Sequence, residues 1–217
     1  MTHLIPDFPD YQFGSVYCIG RNYAKHAKEL KNEVPAEPVV FLKPRSSLIF
    51  SGNSINIPAQ SKNVHHEVEM VVLIGKTTTN VSVENALESV LGVGVGLDMT
   101  ARDLQSEAKL KGLPWTLAKG FDTFAPLGNL VKYHSKLNLS DLNIAVSVNG
   151  EKRQSGNTSD MLFNVPTLIS YLSKQFTLTA GDLIFTGTPE GVSAVEKGDL
   201  IKATLGNGLS TLQVHVS

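Results

Sequence analysis

One cysteine in 217 residues, Cys18, leaves no partner for a disulfide within the chain, so a reducing compartment is expected. An excess of charge is also missing: 19 Lys and Arg stand against 20 Asp and Glu, for a net of −1. Nothing in that balance draws the chain onto nucleic acid or an anionic membrane. No apolar stretch approaches the ~20 residues that span a bilayer. Residues Met1 to Asp10 lack the basic and apolar regions of a signal peptide. The expectation is a cytoplasmic protein without nucleic-acid or membrane partners. Nucleotide signatures fail too. Gly92, Gly94 and Gly96 do not complete G-x-G-x-x-G, because Leu97 occupies the sixth position, and there is no Walker A segment.

What is present is a chain that is 41% hydrophobic, with glycine and proline scattered as turn punctuation and no repeat or linker. One domain over residues 1–217 is the reading, with 1–15 as an N-terminal extension. Strand-like segments dominate: Val39–Lys43, Glu69–Ile74, Ile144–Val148 before Asn149-Gly150, Leu183–Thr186, and Leu200–Leu205 with Ser210–Val216 across Gly206-Asn207-Gly208. Helices are expected over Asn22–Lys31, Thr100–Lys111 (Thr100 capping) and Asn164–Lys174 (Asn164 capping, Pro166 in the first turn), with Val83–Val90 as a fourth segment. The class is α+β with a β-rich core.

The segment Asn63-Val-His-His-Glu-Val-Glu-Met-Val-Val-Leu-Ile-Gly75 carries the strongest chemical signal. Residues two apart on a strand share a face, so Glu67 and Glu69 stand side by side where the chain turns apolar. Such a pair repels unless it meets a cation or shares a proton. Oxygen ligands suit Mg²⁺ or Mn²⁺ better than Zn²⁺; a solvated strand end is the plainer alternative. His65 and His66 point to opposite faces and do not form His-Glu-x-x-His, which argues against zinc. One of these imidazoles could instead orient a carboxylate, or be a plain structural histidine. Asp98, after the apolar Val93–Leu97 and before the helix at Thr100, is the natural third ligand or a simple cap. His26 and Glu29 are three apart on a helix, the spacing of a general-base dyad or of a surface ion pair. Lys119 follows Pro114-Trp-Thr-Leu-Ala and is read as an electrophile or a snorkelling side chain. Gly187-Thr-Pro-Glu-Gly191 is either an anion-holding loop or a turn.

Five segments in order, Gly20-Arg-Asn-Tyr-Ala-Lys-His26, His65-His-Glu-Val-Glu69, Leu97-Asp-Met-Thr-Ala-Arg-Asp103, Gly112-Leu-Pro-Trp-Thr-Leu-Ala-Lys119 and Thr186-Gly-Thr-Pro-Glu-Gly191, resemble the fumarylacetoacetate hydrolase family, in particular its compact acylpyruvate hydrolase-like members. The likeness runs from about Val16 to the C-terminus. It implies a β-rich mixed sandwich-roll with flanking helices, of the type of that family's C-terminal domain, and a homodimer. It implies that Glu67, Glu69 and Asp98 bind one Mg²⁺ or Mn²⁺ and that His26 and Glu29 activate water. Lys119 would stabilise an enolate, and Arg21, Arg102, Gln105 and Thr188 would contact a small 2-oxo acid. The activity implied is hydrolysis of a C–C bond in acylpyruvates such as acetylpyruvate or fumarylpyruvate. The alternatives are oxaloacetate decarboxylation or keto–enol tautomerisation and, from another class, a non-catalytic metal-stabilised binding protein.

Overall fold

The computed structural model describes residues 4–29 and 33–217. Its larger sheet has the spatial order Val39–Lys43, Val16–Gly20, Leu183–Phe185, Val68–Ile74, Val90–Leu97, Ala125–Leu127 and Leu48–Phe50, with Val131–Lys132 also pairing along Val90–Leu97. A second sheet, Glu151–Asn157, Asn143–Val148, Leu200–Leu205, Ser210–Val216 and Ser54–Ile55, packs against it. A small third sheet joins Thr100–Ala101, Val64–His66 and Ser193–Ala194. Leu183–Phe185 runs parallel to Val16–Gly20 but antiparallel to Val68–Ile74, so the large sheet is mixed. This curled, sheet-rich α+β architecture with few helices is the expected class.

The apolar run that ends the Asn63–Gly75 segment has a structural cause. Every residue of Val68–Ile74 is buried, because core lies on both faces of the sheet. Val68, Met70, Val72 and Ile74 enter the core between the sheets, with Ile144, Val146, Ile201 and Val214. Val71 and Leu73 face the other way, onto Val16, Cys18 and Phe185. That outer core is closed by Ile5 and Phe13, so the described part of the N-terminal extension completes a hydrophobic layer. Each such apolar side chain contributes roughly 1.5–3 kcal/mol by leaving water. Gly96 shows how tight the layer is: a Cβ there would sit 2.7 Å from the Phe185 ring.

Turn and cap chemistry explains most element ends. Asn149 and Gly150, at φ of 52° and 86°, close the hairpin between Asn143–Val148 and Glu151–Asn157 as a type I′ turn requires. Asn164 caps the helix Val165–Gln175 by accepting from the Thr167 N–H at 3.1 Å. Three expectations need correction. The second helix is Arg102–Leu110, without a side-chain cap. Thr100 and Ala101 are taken by the strand pairing with Val64–His66, and the Thr100 hydroxyl donates to the Asp98 carbonyl. The first helix is Ala24–Glu29; Asn22 stays outside it because its amide is spent on Thr186 O and Phe163 O, while its Oδ1 accepts from Phe163 N. Residues 30 and 31 of the expected span lie outside the described residues. Val83–Val90 reduces to a 3₁₀ turn, Ala86–Ser89, because Val90 already belongs to the following strand. No helix among the described residues is long and apolar enough to cross a membrane.

Candidate active site

Antiparallel pairing of Val68–Ile74 with Val90–Leu97 aligns Val68 with Leu97 and Glu69 with Gly96. The residues just beyond this register, Glu67 and Asp98, meet at the end of the ladder, where Asp98 N donates to Glu67 O at 2.8 Å. Glu67, Glu69 and Asp98 are all buried, and one carboxylate oxygen from each lies within 4.8 Å of the others. The plain reading of a solvated strand end is thereby excluded.

Three cations are built into the same floor. Lys119, last residue of the short helix Thr116–Lys119, is buried and donates to Glu67 Oε2 at 2.8 Å and Asp98 Oδ2 at 2.5 Å. It is no snorkelling side chain. Arg102 pairs with Glu67 Oε1 and donates to Gln105 Oε1 at 2.6 Å. Lys43, which the sequence reading did not single out, has a fully buried side chain. Its ammonium lies 2.7 Å from Asp98 Oδ1, 3.0 Å from Met99 O, 2.5 Å from Lys119 O and 2.9 Å from Phe124 O.

The electrostatics of the floor are uneven. Burial works to raise the Glu67 carboxyl, but Lys119, Arg102 and His26 outweigh it and hold it well below the usual range. Glu69 goes the other way. Burial, then Asp98 and Glu67, push it well above the usual range, against Lys119 and a hydrogen bond from Gly187 N at 2.8 Å. Burial also opposes the Lys119 charge, but Asp98 and Glu67 overcome it and raise the ammonium. A buried all-oxygen triad in which burial and two neighbouring carboxylates push Glu69 toward its protonated form fits a hard divalent cation. Binding such an ion would displace that proton.

Above the floor, His26 Nδ1 lies 3.2 Å from Glu29 Oε2. The imidazole is buried, and that burial lowers its pKa against the opposing pull of Glu67 and Glu29, so it is neutral at pH 7. Glu29 is held in turn by the Gly191 N–H, at 3.1 and 3.3 Å from its two oxygens. The Gly187–Gly191 loop thus spends its end N–H groups on Glu69 and Glu29, the site's own acids. Gly187 is required there: at φ of 99°, a Cβ would lie 2.6 Å from Asn22 Cβ.

Between floor and helix lies a small cleft, open to solvent and lined by Arg21, His26, Glu67, Glu69, Arg102, Gln105, Lys119 and Thr188. Of the site residues that the resemblance implies, all except Asp98 and Glu29 line it directly, and those two touch residues that do. Arg21 adopts a left-handed backbone, φ 59°. Its guanidinium carbon lies 5.9 Å from the Trp115 ring centroid, and Lys109 Nζ lies 5.4 Å from that centroid. Lys109, also missed from sequence, lines the cleft with no acidic partner among the described residues. Partial burial and then Arg102 and Arg21 lower its pKa to about 8. Neither histidine of the His65-His66 pair orients a carboxylate. His65 bonds Asn63 Oδ1, and His66 bonds Gln154 and Ser193.

A sheet-framed fold with buried carboxylates that could hold a divalent cation, beneath a cationic cleft and a buried histidine, offers a site with room for a small anion. Residues 15–217 match the family described as fumarylacetoacetate (FAA) hydrolase C-terminal, and the chain belongs to that family. The mitochondrial oxaloacetate tautomerase FAHD1 of Arabidopsis thaliana is 49% identical over 201 residues, 93% of this chain and 90% of that protein. The mitochondrial oxaloacetate decarboxylase of Dictyostelium discoideum is 47% identical over 197 residues, 90% of each chain. Among solved structures, the fumarylpyruvate hydrolase of Pseudomonas aeruginosa in complex with Mn²⁺ and pyruvate superposes with a TM-score of 0.90. It is 40% identical, covering 95% of this chain and 90% of that one.

Proposed function

We propose that the chain catalyses keto–enol tautomerisation of oxaloacetate, with Mg²⁺ or Mn²⁺ held by Glu67, Glu69 and Asp98. The carrying observation is the charge of the cleft beneath a neutral base. Lys43, Lys119 and Arg102 already match the three carboxylates. A divalent ion then leaves a surplus of about +2, before Arg21 and Lys109 are counted. That surplus suits a dicarboxylate, oxaloacetate or fumarylpyruvate, better than a monoanion such as acetylpyruvate. The relatives named for oxaloacetate chemistry support the same substrate.

Bound in the triad, the ion would acidify the C–H beside the substrate carbonyl and stabilise negative charge on the carbonyl oxygen. The protein supplies the proton path. Glu29 accepts at Nδ1 of His26, so that nitrogen carries the hydrogen and Nε2 is the free base. Nε2 takes a proton from C3 of the keto form, and Glu29 stabilises the imidazolium that results. Lys119 donates a proton to the oxygen where charge develops, and exchange with solvent resets both groups. Arg21, Arg102, Gln105, Thr188 and Lys109 hold the two carboxylates. A general base of this kind contributes about 10²–10⁴-fold.

The sequence alone favoured acylpyruvate hydrolysis, because a histidine–glutamate dyad suits water activation. The dyad does not discriminate: a base at the same place removes a C–H proton equally well. Hydrolysis is kept as the second reading because of the likeness to the fumarylpyruvate hydrolase structure, with His26 deprotonating water instead of C3. Three assays on the Mg²⁺- or Mn²⁺-loaded protein separate the readings: ultraviolet decay of enol-oxaloacetate, CO₂ release from oxaloacetate, and pyruvate release from acetylpyruvate and fumarylpyruvate. Fast enol decay is expected. Pyruvate release from acylpyruvates without accelerated enol decay would establish the hydrolase instead.

A further inference from the structure

Gln154 is a buried amide in a polar-looking strand. Pairing between Asn143–Val148 and Glu151–Asn157 aligns Val146 with Gln154 but Ser147 with Lys152, so Arg153 is an extra, bulged residue. The bulge turns Gln154 to the inner face with Val146, at 1% exposure, while Lys152 and Arg153 stay exposed. Gly191 packs against this bulge so closely that a Cβ there would lie 2.3 Å from Arg153 O.

All four hydrogen-bonding positions of the amide are filled. Oε1 receives the Val68 N–H at 3.0 Å and His66 Nδ1 at 2.9 Å; Nε2 donates to Thr188 Oγ1 and Pro189 O, both at 2.8 Å. The direction of each bond is forced. A backbone N–H only donates and a backbone carbonyl only accepts, so Val68 and Pro189 fix which end of the amide is which. Thr188 Oγ1 therefore accepts from Gln154, and its own proton must go elsewhere. Thr188 lines the cleft, and no acceptor for that proton is present among the described residues.

We propose that Gln154, braced between the Glu67–Glu69 segment and the Gly187–Gly191 loop, is a positioning residue that fixes the Thr188 hydroxyl as a hydrogen-bond donor to the anionic oxoacid. This rests on the placement of the oxoacid against Thr188 proposed above. Freed of Gln154, the hydroxyl is no longer held as a donor toward the cleft and can turn to other partners, water among them. The substrate then loses one charge-assisted hydrogen bond.

The test compares Gln154→Met, Thr188→Val and the double variant in the Mn²⁺-loaded enzyme. It reads KM and kcat for oxaloacetate, calorimetric affinity for oxalate, and Mn²⁺ affinity without oxalate. Each single variant should raise KM and weaken oxalate about tenfold, with kcat changed by less than about twofold and Mn²⁺ affinity unchanged. Gln154→Met should add nothing further once Thr188→Val is in place. Full additivity, or lost Mn²⁺ affinity in Gln154→Met, would make Gln154 a structural brace and overturn the proposal. An effect of Thr188→Val without one of Gln154→Met overturns the proposal but leaves the oxoacid placement intact. No effect of Thr188→Val removes that placement as well. If Gln154→Met does not fold, Gln154→Glu preserves the shape and the acceptor for Val68. Its carboxylate would capture the Thr188 proton, so KM should rise at least as much, and an unchanged KM would overturn the proposal.

Discussion

The floor of the site and the helix above it are built on opposite plans. Glu67, Glu69 and Asp98 sit at the end of the strand ladder, with Lys43, Lys119 and Arg102 packed around them. His26 and Glu29 ride on a six-residue helix, Ala24–Glu29. Its polar attachments to the Gly187–Gly191 loop are the Gly191 N–H to Glu29 and an exposed pair, Lys25 with Glu190 at 3.8 Å. A six-residue helix has little stability of its own and depends on what it packs against. The floor must hold concentrated charge out of water, which demands a rigid frame of paired charges. The helix presents one neutral base, which costs far less to place. On the proposed mechanism, charge and proton transfer fall to separate, independently breakable parts.

The strongest way to test that separation is Asp98→Ala. It strands Lys43 and leaves Lys119 with one carboxylate, so thermal or urea unfolding should show a loss of about 3–5 kcal/mol. Calorimetry should show Mg²⁺ affinity collapsing, and activity should go with it. His26→Ala should lower kcat by about 10²–10⁴-fold while Mg²⁺ affinity and unfolding midpoint stay near wild type. A His26 variant that lost metal would merge the two parts into one. Lys109→Ala probes the wall between them. Its KM for oxaloacetate should rise about tenfold, with a smaller rise for monoanionic acetylpyruvate, in steady-state assays of both.

The smallest effect is on pH dependence. The folded, metal-free protein holds a proton on Glu69 at pH values where the unfolded chain has released it, the folded pKa being raised. That contribution to stability is complete below the unfolded value near 4.5 and is lost as pH rises through the folded one. Mg²⁺ should therefore raise the unfolding temperature more at pH 8 than at pH 5. Titrations in buffers of different ionisation enthalpy should show proton release of up to about one per ion. Equal stabilisation at both pH values would show that Glu69 carries no proton to displace.

Local features were legible in the sequence. The two-residue spacing of Glu67 and Glu69, the three-residue spacing of His26 and Glu29, the Asn149-Gly150 hairpin and the Asn164 cap each follow from a few adjacent residues. Lys43 and Gln154 were not legible. Lys43 looks like any charged strand end, and its role comes from Met99, Lys119 and Phe124 arriving from distant parts of the chain. Gln154 lies among exposed polar residues, and only a bulge set by the partner strand turns it inward. The parallel pairing of Leu183–Phe185 with Val16–Gly20 is hidden for the same reason, since no local pattern encodes it. The N-terminal residues read as an extension because the sheet face they cover does not exist until the strands assemble.

Lys43 also divides the site's positive charge into two kinds. Three carbonyl oxygens and a carboxylate surround its ammonium much as they would surround a free monovalent ion. A lysine there behaves as a tethered counter-ion: no chelator can strip it, and no swing in cation supply can replace it. One charge is written permanently into the chain, and on the proposed function the divalent charge would be borrowed from solution. Changes in the metal content of the surroundings would then act on turnover through the borrowed ion alone, while the scaffold around Asp98 keeps its own.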